Sequence, residues 1–245
     1  TGRRMDPVAD PRALEWFHRV DEQAVRRRRG AKWNRFGAEA LAAWVADMDF
    51  VAAPPVQAAL AEMAATGDYG YPFLGEPTSV AVAFAGWSAR RHGWLVDPDR
   101  VMLLVDVLQP IAAAIELFSE PGDGVLIQTP IYPPFLRALE MMGRTLVDHP
   151  LGPADAGYPL DVDALDDIDA RTRIVLLCNP HNPTGRVFRR DELDALARVA
   201  VERNLLVVSD EIHADLVYQP HRHIPFASLS PEAAARTITL TSSTK

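Results

Sequence analysis

The chain has 245 residues, 48% of them hydrophobic and 24% charged, an ordinary globular composition with length enough to bury a core. A net charge of -8 and a pI of about 5.3 argue against a nucleic-acid partner; the run Arg26–Arg29, with nothing aromatic interleaved, reads as a solvated helix face. The single cysteine, Cys178, excludes an intramolecular disulfide and fits a reducing compartment. With no secretory signal pattern at the N-terminus and no apolar run near the ~20 residues of a membrane span, a cytoplasmic protein is expected.

Residues 1–50 carry Trp16, Trp33 and Trp44 and do not join the alternation that follows. They are expected to form an N-terminal arm and part of a smaller domain, with residues 51–245 as a large domain. Pro54-Pro55 opens a helical stretch that reaches Gly67, with Pro near the start and Gly past the end. Thr78 to His92 predicts a second helix, stopped by Gly93. Val101-Met102-Leu103-Leu104-Val105 is a continuous apolar run and predicts a strand buried on both faces. A helix follows, through Ile111, Ile115 and Leu117 to Phe118. Pro121–Gly124 is a turn, Val125–Ile127 a strand, and Pro133 to Met142 a helix ended by Gly143. Further strands are expected at Thr145–Val147, Ile174–Cys178, Leu205–Val208 and Ile238–Leu240. Arg189 to Arg203 predicts an amphipathic helix with Leu193, Leu196, Ala197 and Ala200 on one face. Strands alternating with helices predict an α/β fold: an open, mainly parallel sheet covered on both faces, with ligands bound beyond the carboxyl ends of the strands.

Loops rich in chemistry follow those strands. Asn179-Pro180-His181-Asn182-Pro183-Thr184-Gly185 follows Cys178, Asp210-Glu211-Ile212-His213 follows the strand ending at Val208, and Ser242-Ser243-Thr244-Lys245 follows Leu240. Parallel strands bring all of them to one sheet edge, where they offer an amide, a carboxylate, an imidazole, hydroxyls and an amine. A pyridine aldehyde phosphate needs that set. Lys245 supplies the amine that forms a Schiff base with the aldehyde. Asp210 suits the acid that keeps the pyridine nitrogen protonated. Asn182 or His213 could donate to the phenolic oxygen. Ser242 and the start of the helix after Val105 are candidates for the phosphate, and Tyr132 is placed to cover the ring. Singly, each has a structural reading, since Asn-Pro-Thr-Gly is a good turn and Asp-Glu is common at helix starts. Their joint order at strand exits makes coincidence a poor explanation. His213, His221 and His223 raise a zinc alternative, but no cysteine or third placed ligand supports it, and no metal is expected.

At this point the sequence resembles the fold-type-I pyridoxal 5'-phosphate (PLP) enzymes, and within them the PatB/MalY-like cysteine-sulfur β-lyases, often named cystathionine β-lyases. The resemblance is carried by Trp44-Val45-Ala46-Asp47-Met48-Asp49-Phe50, Tyr69-Gly70-Tyr71, the segment Pro121 through Pro130 with Tyr132-Pro133-Pro134-Phe135, Cys178 through Gly185, Ser209 through Tyr218, and His223 through Leu229. It implies a PLP-binding large domain with part of a smaller α/β domain. Lys245 would be the Schiff-base lysine that also moves the Cα proton, Asp210 the pyridinium partner, and Asn182 the amide near the phenolic oxygen. His213 stands where many aminotransferases have a tyrosine, Tyr132 stacks on the ring, and Ser242 binds phosphate. Tyr71 would reach the phosphate of the neighbouring subunit, which implies a homodimer. Where the family has Gly-Val-Val at the phosphate-binding helix, this chain has Asp106-Val107-Leu108, so Val107 and Leu108 would serve through their backbone amides only. The resemblance also implies a chain that continues well past Lys245, where the rest of the small domain and the arginine for the substrate carboxylate would lie. The implied activity is cleavage of cystathionine or related cysteine S-conjugates to a thiol, pyruvate and ammonia. The alternatives are a class I/II aminotransferase and a catalytically idle PLP-fold binding protein.

Overall fold

The computed structural model of the chain describes residues 20–70 and 77–244, which fall into two compact units, residues 1–73 and 74–245. Among the described residues of the first unit are helices α1 (Glu22–Arg26), α2 (Ala31–Asn34) and α3 (Pro54–Thr66). Asp21 caps α1 by accepting the Gln23 N–H at 3.0 Å, and α3 ends on Gly67 in the left-handed conformation. The segment between α2 and α3 is anchored by Asp49. Its carboxylate accepts Lys32 Nζ and Trp33 Nε1, each at 2.7 Å, while Arg28 donates to the Met48 and Asp49 carbonyls. The Trp44–Phe50 segment is thus tied to α2 through polar groups that a hydrophobic pattern does not reveal.

The second unit contains α4 (Ser79–His92), α5 (Leu108–Phe118), β1 (Gly124–Thr129), α6 (Pro133–Met141), β2 (Thr145–Pro150), β3 (Thr172–Cys178), α7 (Arg190–Glu202), β4 (Leu206–Asp210), α8 (Pro231–Ala234) and β5 (Thr237–Leu240). Thr78 caps α4 by accepting the Ala81 N–H, and Gly93 closes it at a φ of 69°. The five strands form one parallel sheet in the order β2-β1-β3-β4-β5. Strand alternation divides the core in two. Leu126, Val175, Leu177 and Val207 point to the face covered by Leu193, Leu196, Val199 and Ala200 of α7. Val125, Ile127, Ile174, Leu176 and Val208 point to the opposite face, covered by Ile111 and Ile115 of α5 and by Phe135 and Leu139 of α6. Burial on both faces explains why the central strands read as unbroken apolar runs.

The expected strand at Val101–Val105 is not formed. Those residues form no ladder, and Met102 and Val105 are 79% and 90% exposed. A strand is defined by its hydrogen-bonded neighbour, and no described strand pairs with this segment. Apolar composition alone could not supply that neighbour. The connection from α5 into the sheet is closed instead by Arg144. Its guanidinium donates to the Ser119 carbonyl at 2.6 Å and to the Met142 carbonyl at 2.6 Å, satisfying carbonyls at the ends of α5 and α6.

Gly124 opens β1 where the chain passes closest to its neighbours. A Cβ built there would lie 2.7 Å from Val147 Cγ2 and 3.2 Å from Thr172 Cα. The stiff valine and the backbone of β3 leave no room to yield. Gly124→Ala is therefore expected to lower stability by about 1–3 kcal/mol, the usual cost of overpacking. Urea unfolding checks this, and the helical content of the native state should stay unchanged.

Candidate functional site

Parallel strands end together. Cys178, Asp210 and Leu240 are Cα partners across β3, β4 and β5. The ladder continues beyond the last strand residues, because Asn179 N–H donates to the Asp210 carbonyl at 3.0 Å and Glu211 N–H to the Leu240 carbonyl at 2.8 Å. The loops beginning at Asn179, Glu211 and Thr241 therefore leave the sheet side by side. Asn182, Asp210, His213 and Ser242 all lie on these loops or at their root, as expected.

Asp210 is only 5% exposed. Its Oδ1 accepts the Ile212 N–H at 3.1 Å, which closes the turn after β4. Burial pushes its carboxyl up to about 6, the backbone N–H opposing and the adjacent Glu211 carboxylate reinforcing the shift. Cys178, on the same face, is driven up to about 12 by burial and by the Asp210 carboxylate, so it stays a protonated thiol. The Asn182 backbone N–H faces that sulfur and moderates its shift.

The 179–185 loop is braced from inside. Asn179 Oδ1 accepts the Phe188 N–H at 3.0 Å. The His181 ring lies within hydrogen-bonding distance of Thr184 Oγ1 at 2.9 Å and of the Gln128 carbonyl at 3.2 Å, linking the loop to the end of β1. Burial holds that imidazole below its ordinary value, which suits a neutral ring with one donor and one acceptor nitrogen. Gly185, at a φ of 71°, turns the loop back so that its N–H reaches the His181 carbonyl.

Tyr132 sits just before α6, 40% exposed, with its ring edge-on to Phe135 at 5.9 Å. At the start of α5 the Asp106 carboxylate accepts the Gln109 N–H at 2.8 Å, and Gln109 Oε1 accepts the Val105 N–H at 3.3 Å. The aspartate thus caps the helix, and Val107 and Leu108 stand at its first turn. Ser242 Oγ shares a hydrogen bond with Thr244 Oγ1 at 2.8 Å and accepts the Thr244 N–H at 3.2 Å. Lys245 and Tyr71 lie outside the described residues.

Of the histidines considered for zinc, His221 is exposed, whereas His223 is buried with Nε2 2.8 Å from Glu211 Oε2. The bracing roles of Glu211, His223 and His181 escape the sequence reading. The alternation of β4 offers the one available signal, since it puts Glu211 on the covered face opposite Asp210. Taken together, the edge offers a buried carboxylate, an exposed aromatic ring, amides and hydroxyls.

Asp210 has a cost that can be measured. A carboxyl whose folded-state value lies above its unfolded value binds its proton more tightly when folded. Stability therefore falls as pH rises from 3.8 to about 6. In the cofactor-free protein, Asp210→Asn is expected to flatten that slope and to raise stability at pH 7 by about 2–3 kcal/mol. Urea unfolding over a pH series checks both.

The chain matches the family described as Aminotransferase class I and II over residues 57–245. It is 39% identical over 221 residues to cystathionine beta-lyase PatB of Bacillus subtilis (strain 168), covering 87% of this chain and 57% of that protein. It is also 39% identical over 165 residues to the probable N-succinyldiaminopimelate aminotransferase DapC of Mycobacterium tuberculosis (strain ATCC 25618 / H37Rv), covering 66% of this chain and 41% of that one. Among solved structures, cystalysin from Treponema denticola, which contains a pyridoxal 5'-phosphate cofactor, superposes with a TM-score of 0.82 at 31% identity, covering 89% of this chain and 57% of that chain. The chain thus spans little more than half the length of the first curated relative it matches. The likeness to PatB agrees with the resemblance read from the sequence, and the α/β class with a parallel sheet agrees with the fold of the superposed structure. No described helix is long and apolar enough to cross a membrane. The match over residues 57–245 takes in all five described strands and every loop of the candidate site, and the chain belongs to the aminotransferase class I and II family.

Proposed function

We propose that the full-length protein is a PLP-dependent carbon–sulfur β-lyase acting on cystathionine or related cysteine S-conjugates. One observation carries the cofactor reading: Asp210, a buried carboxylate raised to about 6, accepts a single N–H among the described residues. A protonated ring nitrogen is the donor such a group lacks, so the residues fit the cofactor. When bound, the cofactor supplies an electron-accepting ring and an aldehyde carbon.

The chain's own groups divide the remaining tasks. Asp210 holds the proton on the ring nitrogen. Lys245 would hold the aldehyde carbon through its amine and, once the substrate amine has displaced it there, the freed amine would take the proton from the substrate Cα as the thiolate leaves Cβ. With water, the remaining three carbons end as pyruvate and ammonia. Asn182 donates to the phenolic oxygen, with His213 beside it. Tyr132 covers the ring. Ser242 and the Val107 and Leu108 amides hold the phosphate, where Asp106 is already turned to the helix as its cap. We also propose a homodimer in which Tyr71 reaches the partner subunit's phosphate. In it residues 1–50 form an arm and part of a smaller domain, residues 51–245 form the cofactor-binding domain, and the assembly is cytoplasmic. The similarity to PatB supports lyase chemistry, and the similarity to DapC keeps transamination as the second reading.

The full-length protein is expected to release pyruvate from cystathionine without an added keto acid. Lys245→Ala should cut that rate on the order of 10³-fold or more and abolish the visible absorbance of bound cofactor. Keto-acid-dependent amino transfer that outpaces pyruvate release would overturn the lyase assignment in favour of the transferase.

A further inference from the structure

Asp210 has a second carboxylate directly behind it. Alternation along β4 sends Ser209 and Glu211 to the face opposite Asp210. Glu211 is 3% exposed, and its oxygens are filled: Oε1 accepts the Ser209 hydroxyl at 2.9 Å and the Phe226 N–H at 2.9 Å, and Oε2 meets His223 Nε2 at 2.8 Å. His223 Nδ1 is buried and has no partner among the described residues. The hydrogen on Nε2 points at Glu211 Oε2, so the carboxylate is held by three partners: Ser209, Phe226 and His223. Facing the pair are Asp210 next to Glu211, the His92 ring at the end of α4 with its centroid 5.3 Å from that of His223, and Asp215, which lies 4.0 Å from His92 and 3.7 Å from Arg91.

Scaffolding alone does not call for this charge. A glutamine could accept the Ser209 and Phe226 hydrogens, and a buried carboxylate beside a second one is unfavourable for folding. The arrangement is useful where a positive charge must be held next to Asp210, because negative potential from both carboxylates then acts on one proton.

We propose that Glu211, clamped by His223, is a positioning residue for Asp210: it fixes the turn that aims the Asp210 carboxylate and adds the negative potential that keeps the ring nitrogen of the cofactor protonated. This role rests on Asp210 pairing with that nitrogen, as proposed above.

The test is equilibrium binding of two ligands to the cofactor-free full-length protein: pyridoxal 5'-phosphate and its deaza analogue, in which C–H replaces the ring nitrogen. Glu211→Gln is expected to weaken pyridoxal 5'-phosphate on the order of tenfold, equivalent to about one pKa unit at the ring nitrogen, and to leave the analogue's affinity unchanged. His223→Phe should do the same, and His223→Gln, which keeps an N–H donor, should restore binding. Equal losses for both ligands, or no loss for either, would show a purely structural pair and overturn the proposal. If Glu211→Gln fails to fold, the two His223 variants provide the same comparison. Asp210→Asn separates the layers. If it removes the preference for the natural cofactor while Glu211→Gln and His223→Phe keep it, only the positioning role falls. If the unmodified protein shows no preference between the ligands and Asp210→Asn changes neither, the ring-nitrogen pairing falls and the positioning role with it.

Discussion

The peptide joining Asp210 to Glu211 is held from both sides, and the candidate site depends on that grip. Its carbonyl side accepts the Asn179 N–H, and its N–H side donates to the Leu240 carbonyl. These bonds extend the parallel ladder past the last residues of β3, β4 and β5, so the three functional loops begin from a rigid line instead of three free ends. A carboxylate fixed this way cannot swing out to water when its charge is unfavourable. It has to be matched where it stands, by the Ile212 N–H and by whatever cation the site receives.

Strand alternation then sorts neighbours by task. Cys178, Asp210 and Leu240 share the face covered by α5 and α6, and the starts of those helices carry Val107, Leu108 and Tyr132. Asn179, Ser209 and Glu211 lie on the opposite face, where Asn179 bonds Phe188, Ser209 bonds Glu211, and Glu211 bonds Phe226 and His223. One turn of sequence thus supplies groups for ligand chemistry on one side and groups that brace them on the other. The bracing side is polar as well as buried, and its hydrogen bonds fix the edge in one geometry.

Much of this was legible in the sequence, for identifiable reasons. Val125–Ile127, Ile174–Cys178 and Leu205–Val208 read as strands because they lie mid-sheet and are apolar on both faces. Gly67, Gly93 and Gly143 marked helix ends because those positions need a positive φ. β2 was read only to Val147, because it is an edge strand whose second half turns polar at Asp148 and His149. Val101–Val105 was misread because a ladder partner is a tertiary fact that an apolar run does not carry. At the site, Asp210, Asn182 and Ser242 stood out as polar residues at strand exits. The bracing pairs did not. Glu211 meets His223 only when the chain returns after twelve residues, and His181 meets the Gln128 carbonyl 53 residues away.

Cys178 gives this architecture a further property. Thiol reagents attack the thiolate, and this sulfur is 1% exposed and stays protonated until about pH 12. It is also the single cysteine of the sequence and the lateral neighbour of Asp210. Its modification must wait for the middle of the sheet to open, so the labelling rate counts openings at that spot and nowhere else. The chain carries its own clock for how often the floor of the site comes apart.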